Sequence, residues 1–329
     1  MNAPHANVLA LRKRKPRMRR VQSHTALHLT GSQREVLAII HEYGFLTARL
    51  LAIVYGARAG RGGRGYWHLL RELRRLFDAG LVQRFPAAAM AVRSGSAECI
   101  YTITHQGARA VLDAVEYAAV RHDIYNREGK QRGNFNHHLA IVSLQLVLTL
   151  GQGPWKLIEF RAEERNPGAV VKVRAKDQIL TAWPDAMALV ESGASPSAPR
   201  RRTRYLFEID LTRKNNQRVE DRFMVYGTYL ADRSRPRPVS PQVGGATERW
   251  LAVFAVAGES EVERFIEIAA KVLSAWRPPE RPVFLFWNVE DWYEQSGGAL
   301  LPPAIILKHA RLTTVDGASR RLIEEGSSA

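Results

Sequence analysis

Trp183-Pro184-Asp185-Ala186 and, further along, Phe207-Glu208-Ile209-Asp210 decide how this chain is read. Each sets carboxylates at the end of an apolar, strand-like run, and a polar loop joins the two runs. As neighbouring strands of a hairpin they bring Asp185, Glu208 and Asp210 to one sheet edge. Hard oxygen donors that converge in this way suit Mg²⁺ or Mn²⁺, and a phosphodiester is a common substrate for such a site.

Outward from these runs, Asn134–Leu150 has helical spacing, with Phe135, Leu139, Val142, Leu146 and Leu150 on one side. Trp155–Glu164, Ile179–Glu191 and Arg204–Thr212 read as strands and Val219–Leu230 as a helix. Trp250–Val256 is a buried strand, Glu259–Ala275 an amphipathic helix and Pro282–Asn288 a last apolar strand. The order α-β-β-β-α-β-α-β mixes a meander with crossover units. It predicts a mixed sheet flanked by helices over residues 134–310, an α+β or α/β arrangement. Residues 311–329 read as a C-terminal tail with weak helical character. Ser192–Arg202 and Asp232–Glu248 are rich in Ser, Pro, Gly and Arg and read as exposed loops. The first carries Arg200, Arg201 and Arg202, which either hold DNA over the carboxylates or form a solvated hairpin tip.

Upstream, Ser32-Gln-Arg-Glu35 reads as a capping box that opens a helix ending near Gly44. A short helix over Ala48–Tyr55 precedes a glycine-rich loop, Gly56–Gly65. A third helix, Tyr66–Ala79, buries Leu69, Leu70, Leu73, Leu76 and Phe77 and stops at Gly80. Leu81–Phe85 and Glu98–Thr104 alternate like strands around the small-residue stretch Pro86–Ala97, and Gln106–Tyr117 closes with another helix. Residues 31–118 thus form a first domain, and residues 119–133 a linker.

The order helix, helix, helix, strand, loop, strand, helix resembles the winged helix-turn-helix. The strings Leu70–Val82 and Tyr101–Gly107 are very like that family's recognition helix and wing. The resemblance implies that the third helix enters the major groove and the wing touches the backbone. Tyr66, His68, Arg71, Arg74, Arg75 and Arg93 are then the candidate DNA contacts. Winged helices also dock proteins, and exposed arginines are often merely solvated.

In the second domain, Pro-Asp in one strand and Glu-x-Asp in the next resemble the PD-(D/E)xK nuclease fold, a restriction-endonuclease-like architecture. The resemblance makes Asp185 one metal ligand and Glu208 another. Asp210 stands in the lysine position, either as a further ligand or as a mark of lost catalysis. The lysine normally orients or deprotonates the attacking water. Lys214 and Arg222 are its candidate substitutes, although an arginine stabilises charge without acting as a base.

A narrower resemblance covers nearly the whole chain. A winged helix, a helix beginning near His138, a Pro-Asp-Ala strand, and Glu-x-Asp followed by a helix ending in Tyr226 or Tyr229 resemble the replication-relaxation family. The resemblance implies DNA binding and nicking during replication or mobilisation of plasmids and integrated mobile elements. Partners would be DNA and the replication or transfer machinery. His137 and His138 diverge by about 100° on a helix and cannot easily share one metal. His138 is the choice from the family pattern, against a locally hydrogen-bonded histidine. Among Glu159, Glu163 and Glu164 one could complete a metal shell, or all three line a solvated strand face. Tyrosines on an apolar helix face, such as Tyr226 and Tyr229, are more often core residues than covalent nucleophiles.

Composition agrees with a polyanionic partner. The 329 residues carry 48 Lys/Arg against 32 Asp/Glu, a formal charge of +16, with 46% hydrophobic residues, enough for two cores. All seven Lys/Arg of residues 1–30 lie between Arg12 and Arg20, and no acidic residue accompanies them. Such a segment cannot offset its ordering entropy by burial and reads as a basic arm. Arg12, Lys13, Arg14 and Lys15 are its candidate phosphate contacts, against a plain solubility tail. No apolar run is long enough to span a membrane and no signal-peptide pattern is present, so a cytoplasmic location is expected. One cysteine, Cys99, excludes an intramolecular disulfide or a cysteine-based zinc site. The competing expectation is a non-catalytic DNA-binding regulator or accessory factor on a degenerate nuclease fold.

Overall fold

In a computed structural model the apolar periodicities resolve into two units. It describes residues 28–58, 66–86, 99–120, 135–150, 155–162, 171–175, 178–192, 201–212, 214–231, 248–276, 282–289, 311–314 and 319–321. Arg12, Lys13, Arg14, Lys15, Arg93, Glu163, Glu164 and Arg200 lie outside the described residues.

From the amino end, α1 spans Gly31–Tyr43, β1 Leu46–Thr47, α2 Ala48–Arg58 and α3 Tyr66–Asp78. β2 follows at Val82–Pro86, β3 at Cys99–Ile103 and α4 at His105–Arg109. The capping residue of α1 is Thr30, two positions before the expected Ser32. Its Oγ1 accepts from Gln33 N–H at 3.3 Å, and Gln33 Oε1 accepts from Thr30 N–H at 3.0 Å. The reciprocal pair needs a Gln or Glu at the third helical position, and Gln33 meets that need as well as Glu35 would. Gln33 is buried and also donates to Glu72 Oε2 at 2.5 Å, tying α1 to α3.

β2 and β3 pair antiparallel from Val82↔Ile103 to Pro86↔Cys99, and β1 adds to β3 as a third strand. The Thr104-His-Gln-Gly107 string fixes the return of the chain after β3. Thr104 Oγ1 donates to Gly80 O at 2.7 Å and accepts from Gly107 N–H at 3.1 Å. A Cβ at position 107 would stand 2.0 Å from Leu81 O, so only glycine fits this approach. The single helix expected over Gln106–Tyr117 is broken in two. Asp113 restarts it as α5, residues 114–120, with Oδ1 accepting from Glu116 N–H at 2.8 Å and its own N–H donating to Glu116 Oε2 at 3.0 Å.

The second unit holds α6, Phe135–Leu150, and β4, Trp155–Ala162, before a separate antiparallel hairpin of β5, Val171–Ala175, and β6, Gln178–Ala182. β7, Ala186–Ser192, β8, Arg201–Asp210, and α7, Asn216–Ala231, follow. β9, Glu248–Val256, α8, Glu259–Leu273, and β10, Phe284–Asn288, come next. β11, Arg311–Thr314, and β12, Ser319–Arg321, complete the described elements. One seven-stranded sheet has the order β12-β11-β10-β9-β8-β7-β4. It is mixed: β8, β9 and β10 run parallel and the outer pairs antiparallel. The strand expected over Ile179–Glu191 is cut by Trp183-Pro184-Asp185, because proline has no N–H for a central ladder. The segment read as a tail from residue 311 instead supplies two strands to the sheet.

Alternation along each strand builds a core on both sheet faces. Tyr205, Phe207, Ile209, Leu251, Val253 and Ala255 meet Ile141, Leu144 and Leu148 of α6. Leu206, Ala252 and Phe254 meet Phe223, Tyr226, Phe265 and Ile268 of α7 and α8. The unit is therefore helix, sheet, helix. No helix among the described residues is long and apolar enough to cross a membrane.

Candidate functional site

The period of two that sends Phe207 and Ile209 toward α6 sends Glu208 and Asp210 toward α7. Asp185 immediately precedes β7. Since Ala186 pairs with Phe207, Asp185 is next in register to Glu208. The carboxylates thus gather at the carboxyl end of the parallel strands, the edge where open α/β sheets place their ligands. All three are buried.

Each has partners on the protein. Asp185 Oδ2 accepts from Ile209 N–H at 2.6 Å, and its Oδ1 lies 3.0 Å from His137 Nε2. Glu208 Oε1 accepts from the Tyr226 hydroxyl at 2.6 Å, and Oε2 is paired with the Arg222 guanidinium. Asp210 Oδ2 is 3.0 Å from Lys214 Nζ, and Oδ1 accepts from Thr212 N–H at 3.3 Å. Arg222 and Tyr226 are four residues apart on α7, hence on one helix face, which is how both reach Glu208.

Electrostatics sets the members apart. Burial first, and the neighbouring Asp185 carboxylate second, push Glu208 up from 4.5 to about 7, against the pull of Arg222, Tyr226 and Lys214. Burial and Glu208 together raise the Tyr226 phenol well above its ordinary 10. Tyr226 is therefore a protonated donor that holds Glu208 in place, and its ring also meets Phe254 edge-on with centroids 5.7 Å apart. Tyr229 stands edge-on to Trp250 at 5.8 Å. Both tyrosines are packed as the core reading expects.

The folded chain holds the Glu208 proton to a higher pH than the unfolded chain. Its contribution to stability is therefore fully present below about 4.5 and is lost as the pH rises through about 7. Between pH 5 and 8 this loss is on the order of 2–3 kcal/mol. A Glu208→Gln protein should show no such component. Urea unfolding of both proteins at the two pH values, in the presence of a chelator, measures the difference. Equal pH dependence in the two would remove Glu208 as its source.

The sequence reading is corrected at two points. The histidine in contact with Asp185 is His137, where His138 was expected; the two diverge around α6, and the register of its first turn selects the former. Glu159 belongs to another network, with Arg204 Nη1 at 3.1 Å and with Arg161, several residues up β8 from Glu208. Arg201 is exposed, whereas Arg202 pairs with Glu191 at 3.0 Å. In the first unit, His68 and Arg71 are exposed and Tyr66 is half-buried; Arg74 pairs with Asp78 at 2.8 Å, and Arg75 with Glu72 at 3.0 Å. Buried Glu72 and Gln33 carried no periodic signal that could have marked them as a pair.

The donor set can be tested against Mg²⁺ or Mn²⁺ on its chemistry. Three buried carboxylates face two cations, Arg222 and Lys214, so negative charge is in excess, and the like-charge pressure on Glu208 expresses it. Among the described residues no group of three or more His, Cys, Asp or Glu side chains is disposed to enclose a metal. Mg²⁺ does not need such an enclosure, since one or two carboxylates with water and substrate phosphate complete its shell. The adjacent pair Asp185 and Glu208 fits that requirement.

Comparison with known proteins places the chain. The family model described as replication-relaxation matches residues 37–242, well over half of the sequence. The chain belongs to the replication-relaxation family. The match takes in α3, His137, Asp185, Glu208, Asp210, Arg222 and Tyr226, so the carboxylate cluster lies within the matched region. No curated protein matches the sequence. Among solved structures, that of restriction endonuclease FokI bound to DNA aligns at 10% identity and a TM-score of 0.24, over 81% of this chain. The chain spans 45% of that protein, and the likeness is too slight to fix a fold.

Proposed function

We propose that this replication-relaxation protein binds DNA through its first unit, a winged helix, and nicks the phosphodiester backbone at the Asp185–Glu208 cluster of its second, in replication or mobilisation of a plasmid or integrated element. The observation that carries the reading is the pair of buried carboxylates set side by side. Stability alone gives no reason to bury Glu208 beside Asp185, where desolvation first and the Asp185 charge second raise its pKa to about 7. Groups tuned in this way gather at functional sites.

Asp185 and Glu208 would hold Mg²⁺ or Mn²⁺, with Asp210 beside them, and the ion would activate water and neutralise charge on the phosphate. The rest falls to the chain's own groups. Arg222, half-exposed at the side chain, balances Glu208 and offers a permanent cation to an entering phosphate. Tyr226 holds the Glu208 carboxylate in one orientation. Lys214, paired with Asp210, would supply the charge of the missing lysine. His137 orients Asp185. Exposed Arg71, Arg75 and Arg201, together with the basic segment Arg12–Arg20, supply phosphate contacts.

Purified protein incubated with supercoiled plasmid and Mg²⁺ or Mn²⁺ tests this reading. Open circles that form only with the cation, and duplex affinity that falls steeply with salt, are expected. One observation favours a second reading, a non-catalytic accessory factor: both Glu208 oxygens are taken by Arg222 and Tyr226. It predicts the same salt-dependent binding with the plasmid left closed under every cation.

A further inference from the structure

The outward face of α3 carries an element that phosphate contacts do not explain. Trp67 is 78% exposed, the second residue of the helix, with its ring edge-on to Tyr66 at 5.9 Å. Trp67, Arg71 and Arg75 recur at intervals of four and form one exposed stripe, with His68 alongside. From Trp67 to Arg75 the stripe is about 12 Å long, roughly three to four base-pair steps. The acidic residues of the helix lie off the stripe: Glu72 is buried, bonded to Gln33 and paired with Arg75 at 3.0 Å, and Asp78 is paired with Arg74. A lone exposed apolar residue needs no explanation. An indole in line with two arginines, at the end of a helix that presents itself to a polyanion, has a specific partner.

We propose that Trp67 is a base-contacting, specificity-determining residue that lays its indole against the 5-methyl group of a thymine in the major groove. The proposal rests on the DNA-binding reading of the first unit. Charge complementarity of the Arg71 and Arg75 stripe brings duplex DNA to this face. Within the major groove the thymine methyl is the apolar feature of the base edges, and only an apolar side chain discriminates it. The first residues of a recognition helix are those that reach base edges. Arg71 and Arg75, about one and two turns further along the helix, fix its register.

The test selects a preferred duplex for the full-length protein from a randomised pool. Affinity is then compared on that duplex and on copies with each thymine replaced by deoxyuridine, which removes only the methyl group. The wild type should lose about fourfold at one position, the worth of one methyl-sized contact. Trp67→Ala should bind both duplexes equally, keep the salt dependence of binding and select a pool without that thymine. Trp67→Phe should retain the discrimination, which separates lost contact from lost folding. Trp67→Ala protein that still prefers thymine over uracil, or a wild type indifferent to the methyl group, would overturn the proposal while leaving DNA binding intact. A wild type that binds no duplex at all would overturn this proposal and the reading beneath it.

Discussion

An Asp185→Asn protein should open supercoiled plasmid at least about 100-fold more slowly than the wild type, while binding it within about twofold. Asparagine keeps the shape of the side chain and an oxygen for the Ile209 N–H, so the 2.6 Å tie between the strand ends survives. What goes is the charge. Asp185 is the second cause of the raised Glu208 pKa, so its neutralisation lets Glu208 ionise at lower pH and pair more fully with Arg222. The variant should therefore be no less stable than the wild type at neutral pH, and loss of nicking cannot then be blamed on unfolding. Rates of open-circle formation in Mg²⁺ and Mn²⁺, beside gel-shift affinities on the same plasmid, provide the comparison. Nicking retained within tenfold would sink the assignment of the site, whatever the DNA affinity.

The features legible in the sequence were those with a period or a punctuation mark. The strands bearing Asp185 and Glu208 are strongly apolar and bounded by a polar loop, and their pairing in one register follows from that. The α7 stripe of Val219, Phe223 and Tyr226 is equally plain and places Arg222 beside it. Short elements were not legible. β11 and β12 are four and three residues long, lie in a stretch that reads as a tail with weak helical character, and acquire strand geometry only by pairing with β10 and with each other. The β5–β6 hairpin lacks the Asn-Gly or Asp-Gly turn that marks a tight connection. Within the site, the choice between His137 and His138 depended on where α6 starts relative to Asp185, a tertiary fact that no helical pattern contains. The same holds for Arg222: the sequence offers it as a substitute for the missing lysine charge, but its pairing with Glu208 depends on the strand beneath it.

The largest loss of stability from a single truncation at the site's own support should come from Phe223→Ala. Phe223 is fully buried on α7, one residue after Arg222 and three before Tyr226. Its ring stacks on Phe284 at 5.2 Å and stands edge-on to Phe254 at 4.5 Å, to Phe265 at 5.9 Å and to Phe286 at 6.0 Å. Four aromatic partners drawn from two strands and α8 leave little room for collapse into the cavity. The expected cost is accordingly about 3–5 kcal/mol, the range for truncating a core phenylalanine. Urea unfolding at neutral pH reads it as a lower midpoint with an unchanged slope. The loss also bears on chemistry, because the same packing sets the height of α7 over β8. When this support is removed, Arg222 and Tyr226 are freed to drift from Glu208 even at temperatures where the variant remains folded. Its nicking should fall there by more than the folded fraction accounts for, with the duplex affinity of the first unit unchanged. If nicking simply tracked the folded fraction, α7 would be a passive wall of the core, and the positioning assigned here to Arg222 and Tyr226 would be wrong.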